Sequence, residues 1–109
     1  MEEIILLETR LANPDKKVFK LQFPIGEFDM VVCDTSELTC RIFGVKYSKE
    51  QVPDQYRHLN DEKKCSMTSH RYGDIVGKYV IYRGEPTECG GIQYLNVEDY
   101  LKSLTSQNA

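Results

Sequence analysis

The sequence predicts a single α+β domain, mainly antiparallel sheet with two or three short helices. Three observations carry this. Val18 to Ile25 alternates, with Phe19, Leu21, Phe23 and Ile25 on one face and Lys20 and Gln22 on the other, the period of a half-buried strand. Asn96 precedes Val97, Tyr100, Leu101 and Leu104, a capped amphipathic helix with Asp99 at the capping-box position. Asn13-Pro14-Asp15, Gly84-Glu85-Pro86 and Gly90-Gly91 mark tight turns between short segments. A length of 109 residues fits one domain, read here as residues 1–104 with a flexible polar tail over 105–109.

Taken in order, Glu3 to Leu11 is rich in Ile and Leu and reads as a strand, paired as a hairpin with Val18 to Ile25. Phe19, Leu21 and Phe23 then face the core. Phe28 to Cys33 fits a strand through Phe28, Met30 and Val32 and a helix through Phe28, Val31 and Val32; Val31-Val32 tips it towards strand. Asp34, with Glu37 three residues on, reads as a helix start; Leu38, Ile42 and Val45 fall at helical spacing, and Gly44 can end the helix.

Lys46 to Lys64 is the most polar stretch. Val52, Tyr56 and Leu59 make a thin apolar stripe, Pro53 suits the first turn of a short helix, and Asn60 to Lys64 reads as a solvated loop. Beyond Gly73, Asp74 to Val76 and Lys78 to Arg83 are strand segments, and Ile92 to Leu95 is another.

Composition bounds the function. With 40% apolar and 28% charged residues, the chain has enough apolar matter for a core, which excludes general disorder. The net charge of -3, spread evenly, disfavours a nucleic-acid or anionic-membrane surface. The acidic start Met1-Glu2-Glu3 does not resemble a secretion signal, and Ile4 to Leu7 is too short to span a bilayer. A cytoplasmic setting is therefore expected, with Cys33, Cys40, Cys65 and Cys89 as reduced thiols.

Four chemistries merit weighing against plainer roles. Close Cys or His pairs, which would aim two ligands at one metal ion, are absent, so no metal is expected and no cofactor either. Cys65, His70 and Asp74 supply the residue types of a cysteine triad, but on a strand Cys65 falls on the opposite parity to the other two. Gly90-Gly91 precedes a strand rather than a helix, so it suits a turn better than a phosphate cradle. Lys63-Lys64 and His70-Arg71 are basic pairs without the longer stripe that nucleic acid requires.

Seven Tyr and no Trp leave two readings open, the rim of a small core or a partner-binding surface. On the second reading the anchors are Tyr56, Arg57, Arg71 and Tyr72, which flank the Asn60–Lys64 segment and are of the preferred anchor types. Non-catalytic binding of another protein is the expected function. A small cysteine enzyme or metal protein, and a weak nucleic-acid binder, are the alternatives.

Several short motifs between Leu38 and Leu101 resemble the YodL-like modules of phages and conjugative elements. They are Pro53-Asp54 before a polar stretch, Ser69 to Val76 ending in Gly-Asp-Ile-Val, and Gly91-Ile92 followed by Glu98-Asp99-Tyr100-Leu101. His70-Arg71 stands where that family has Leu-Ser, and Ile92 where it has Phe. The resemblance implies an accessory protein of a mobile element, one form of which is an inhibitor of a host defence enzyme. It implies no catalytic residues.

Overall fold

The computed structural model describes residues 2–24, 26–46 and 58–107. They run α1 (Glu2–Ala12), β1 (Lys17–Gln22), β2 (Glu27–Asp34), β3 (Thr39–Val45), α2 (Glu62–Tyr72), β4 (Asp74–Tyr82), β5 (Thr87–Cys89), β6 (Ile92–Asn96) and α3 (Val97–Gln107). The strands form one six-stranded sheet in the order β1-β2-β3-β4-β6-β5. The β1–β2, β2–β3 and β5–β6 pairs are antiparallel, and β3–β4 and β4–β6 are parallel. The fold is thus α+β on a mostly antiparallel sheet. Its radius of gyration, 13.2 Å, is that of one domain of this length.

Helices cover both faces, which the sheet's residue pattern requires. On one face Phe28, Val31, Cys33, Cys40, Ile42, Val80, Tyr82, Ile92 and Tyr94 form a core closed by Leu59 and by Cys65 and Tyr72 of α2. On the other, Val18, Met30, Val32, Phe43 and Ile81 pack under Ile5 of α1 and Val97, Tyr100 and Leu101 of α3. Strand β2 feeds both cores, so its apolar residues are nearly continuous and its period of two is hidden. A bulge adds to this. Phe19 pairs with Val31 but Leu21 pairs with Phe28, so β2 carries one extra residue and Phe28 and Val31 share a face.

Several expectations are corrected. Glu3 to Leu11 lies in a helix, not a strand, and β1 takes β2 as its hairpin partner. Phe19, Leu21 and Phe23 do turn towards the α2-side core, but only half-buried, while Val18 is buried on the opposite face. Asp34 begins no helix. Its Oδ1 accepts from the Ser36 N–H, the Ser36 hydroxyl and the Glu37 N–H, closing a hairpin loop between β2 and β3. A side chain that captures the next N–H groups starts a helix or a turn with the same chemistry, and here the β-rich flank decides. The supposed loop Asn60 to Lys64 contains a helix start, with Asp61 accepting from the Lys64 N–H at 3.1 Å.

Asp74 to Tyr82 is one strand rather than two. The apparent break is a bulge at Val76, since Ile75 pairs with Cys40 and Gly77 with Arg41. The final helix continues through Thr105 to Gln107, so the polar end starts as helix and not as a tail at 105. The expected Pro53 helix and the residues Val52 and Tyr56 lie outside the described residues.

Candidate functional site

Helix α1 is apolar on two opposite sides. Inward, Ile5 and Thr9 are fully buried. The Thr9 hydroxyl lies 2.6 Å from the Ile5 carbonyl and 2.7 Å from the Tyr100 hydroxyl, which ties α1 to α3. Arg10 Nε donates to the Val18 carbonyl at 2.8 Å, fixing the helix to the edge strand β1. Outward, Ile4, Leu7 and Leu11 are 57%, 54% and 62% exposed. Positions four, seven and eleven stack on one side of a helix, and that side is the one opposite Ile5 and Thr9. The stripe escaped the sequence reading because Ile4-Ile5-Leu6-Leu7 offers no polar side from which a helical period could be seen.

The predicted anchors fare unevenly. Arg71 and Tyr72 end α2, with the Arg71 guanidinium carbon 5.3 Å from the Tyr72 ring centroid. Tyr72 also lies 5.0 Å from the Phe19 ring, so it bridges α2 to β1 and is half-buried. Arg71 and the exposed Met67 border a recess of about 60 Å³ with Leu21, Phe23 and Pro24. Tyr56 and Arg57 lie outside the described residues. The other tyrosines described are core or half-buried: Tyr82 and Tyr94 meet edge-on at 5.2 Å, and Tyr79 stacks on Phe43 at 4.9 Å.

The triad does not assemble as a strand face. Cys65 and His70 are both on α2, five residues apart and hence on different sides of it. His70 and Asp74 are exposed, while the Cys65 thiol donates to the Leu59 carbonyl at 3.1 Å. None of the four cysteines is joined in a disulfide. Burial pushes the Cys33 and Cys65 thiols up, and Cys40 up to about 11, which keeps them out of the thiolate form. A thiol-reactive dye is expected to label Cys89 first, Cys65 slowly, and Cys33 and Cys40 only on unfolding, with four thiols counted in denaturant. Fast native labelling of Cys33 or Cys40 would contradict the buried β2–β3 pair.

Gly90 and Gly91, at φ 60° and 78°, make the two-residue turn between Cys89 and Ile92, as a turn with both central φ positive requires. The turn reading therefore holds over the phosphate cradle. Lys64 is occupied: its Nζ is 2.6 Å from His58 Nδ1 and 5.7 Å from the Phe23 ring centre.

One polar cluster went unforeseen. The β2 bulge sets Asp29 beside Glu27 and Glu2, the only group of three or more ligand-type side chains with mutually close atoms among the described residues. Asp29 and Glu27 line an open cleft of about 570 Å³ with Gln22, Phe23, Gly44, His58 and Leu59. Burial pushes the Asp29 carboxyl up to about 6, against the pull of the Val45 N–H that donates to it at 2.7 Å; the Glu2 and Glu27 charges add to the rise. Lys20 Nζ, 3.0 Å from Glu2 and 3.3 Å from Glu27, neutralises much of the cluster. This is the arrangement of a structural carboxyl that completes the ladder at the bulge.

A carboxyl whose folded pKa lies above its unfolded value holds its proton more tightly when folded. The chain should therefore gain stability as pH falls from about 6 towards 4, by about 1–2 kcal/mol after allowing for the solvent that reaches the group. Asp29→Asn should be the more stable protein at pH 7 and lack that gain. Identical pH profiles in denaturant melts would show Asp29 to be unperturbed.

Comparison with known proteins finds no matching family model, no matching curated protein and no matching solved structure. The YodL-like resemblance thus rests on its short motifs alone. No helix among the described residues is long and apolar enough to cross a membrane.

Proposed function

We propose that this chain is a non-catalytic protein-binding domain whose contact face is the outer side of α1. The observation that supports it is the exposed stripe Ile4, Leu7 and Leu11 on a helix already seated through Ile5 and Thr9. The inward residues hold the helix in place, so the outward ones contribute nothing to the core. A helix that presents anchors three and four residues apart is a common means of recognising an apolar surface. Covering each half-exposed side chain is worth about 1 kcal/mol, enough to matter for association. The recess beside Arg71 and Met67 is a smaller second face, and Arg71 is one of the anchors expected from sequence.

A cytoplasmic setting with reduced thiols accords with this reading, as does the net charge of -3, which disfavours a nucleic-acid surface. The accessory role in a phage or mobile element, with inhibition of a host defence enzyme as one form, is a proposal that goes with the motif resemblance and not with the geometry.

The test is retention from a lysate of the source cells by tagged wild type, Leu7→Glu and Arg71→Ala, followed by titration of the purified retained protein. Leu7→Glu should weaken binding at least about tenfold at unchanged melting temperature. Full affinity in Leu7→Glu would remove α1 from the contact face. Loss in Arg71→Ala alone would move the face to α2.

A further inference from the structure

We infer that the outer face of α1 pairs with the same face of a second copy of this chain, the two helices running antiparallel about a two-fold axis. This rests on the protein-binding reading of α1 and names its partner. Ile4, Leu7 and Leu11 are spaced by three and then four residues, the spacing of the seam between two packed helices. A symmetric pair needs a single self-complementary patch. The residues beside the seam decide whether this patch is one.

Glu3 and Arg10 immediately precede the seam residues Ile4 and Leu11, so both flank the stripe on one side. Glu8 follows Leu7 and flanks it on the other. All three are exposed. In a parallel pair, residues from opposite sides of the seam meet five positions apart, which sets Glu3 of each copy against Glu8 of the other. That is a like-charge contact, made twice.

In an antiparallel pair, residues from the same side meet. Ile4 then packs against Leu7 of the second copy, and Glu3 faces Arg10 of the second copy, again twice by symmetry. The opposite charges match in this orientation alone. Three helical turns make a small interface, so the pair belongs among weak, concentration-dependent dimers.

Sedimentation velocity from about 10 µM to about 1 mM spans the relevant range. Wild type should shift with concentration towards twice the chain mass of 12.6 kDa. Leu7→Glu, and Ile4→Glu as a second variant, should stay monomeric throughout with unchanged melting temperature. Glu3→Lys sets Lys against Arg10 and should raise the dissociation constant about tenfold; in a parallel pair it would lower it by relieving the Glu3–Glu8 contact.

A wild type that is monomeric at every concentration, a dimer that survives both seam variants, or tighter pairing in Glu3→Lys would each overturn the inference. The two readings fail separately. If wild type stays monomeric but a purified partner protein binds it and not Leu7→Glu, self-pairing is overturned and the protein-binding reading stands. If neither occurs, both fall.

Discussion

Gly73→Ala is expected to destabilise the domain by about 3–5 kcal/mol, much of what holds a chain of this size together. Gly73 ends α2, with its N–H donating to the Ser69 carbonyl at 2.9 Å, and sits at φ 108°, where a side chain is strained. A Cβ there would lie 2.0 Å from the Leu38 carbonyl oxygen and 2.9 Å from the Thr39 nitrogen. Both neighbours are backbone and cannot swing aside. The Leu38 carbonyl is also the acceptor for the Asp74 N–H at 3.0 Å, so relieving the clash pulls β4 from β3 at its first pairing. Gly91→Ala is the control. It has φ 78° but open space around it, so only the backbone strain remains, about 1–2 kcal/mol. Equal losses in chemical denaturation would mean that the close approach to Leu38 does not exist.

What could be read from sequence divides by how many faces an element buries. β6 and α3 each show one dominant face, and their residues announced it: Ile92 and Tyr94 alternating inward, the Asn96 cap accepting from the Glu98 and Asp99 N–H groups, and Tyr100 and Leu101 turned inward. β1 shows its Phe19–Leu21 alternation but buries Val18 on the other face. β2 buries both faces and so reads ambiguously. α2 hides for a different reason. Its inward positions are Cys65, Thr68 and Tyr72, at helical spacing, but Thr68 is polar and is buried only because its hydroxyl bonds the Lys64 carbonyl at 2.7 Å. A reader of apolar stripes passes over such a helix. β3 misleads because Leu38, Ile42 and Val45 have helical spacing by coincidence; Leu38 is exposed at φ 55° in the loop, and only Ile42 is core.

The candidate site was illegible for a related cause. The sequence points to anchors among Tyr and Arg near a polar loop. The tyrosines that the structure describes are instead needed to fill a small core. In α1 the run Ile4-Ile5-Leu6-Leu7 turns apolar residues both inward and outward and hides the helical period, so a face that contributes nothing to folding looked like half of a strand.

The two sides of α1 can be separated by one pair of substitutions. Ile5→Ala should cost about 2–5 kcal/mol, because Ile5 is fully buried against Val18, Met30, Val32, Phe43 and Ile81. Leu7→Ala should cost under about 0.5 kcal/mol, because Leu7 is more than half exposed and Ala favours helix. In a strand, residues two apart share a face, and Ile5 and Leu7 would lose stability together. In the helix they lie on opposite sides, so the loss is confined to Ile5. The same pair separates folding from association. Below the concentration at which copies pair, Leu7→Ala should melt like wild type; at high concentration wild type should gain melting temperature from dimer formation and Leu7→Ala should gain less. A Leu7→Ala loss as large as that of Ile5→Ala in dilute solution would return Leu7 to the core and remove the exposed stripe on which binding depends.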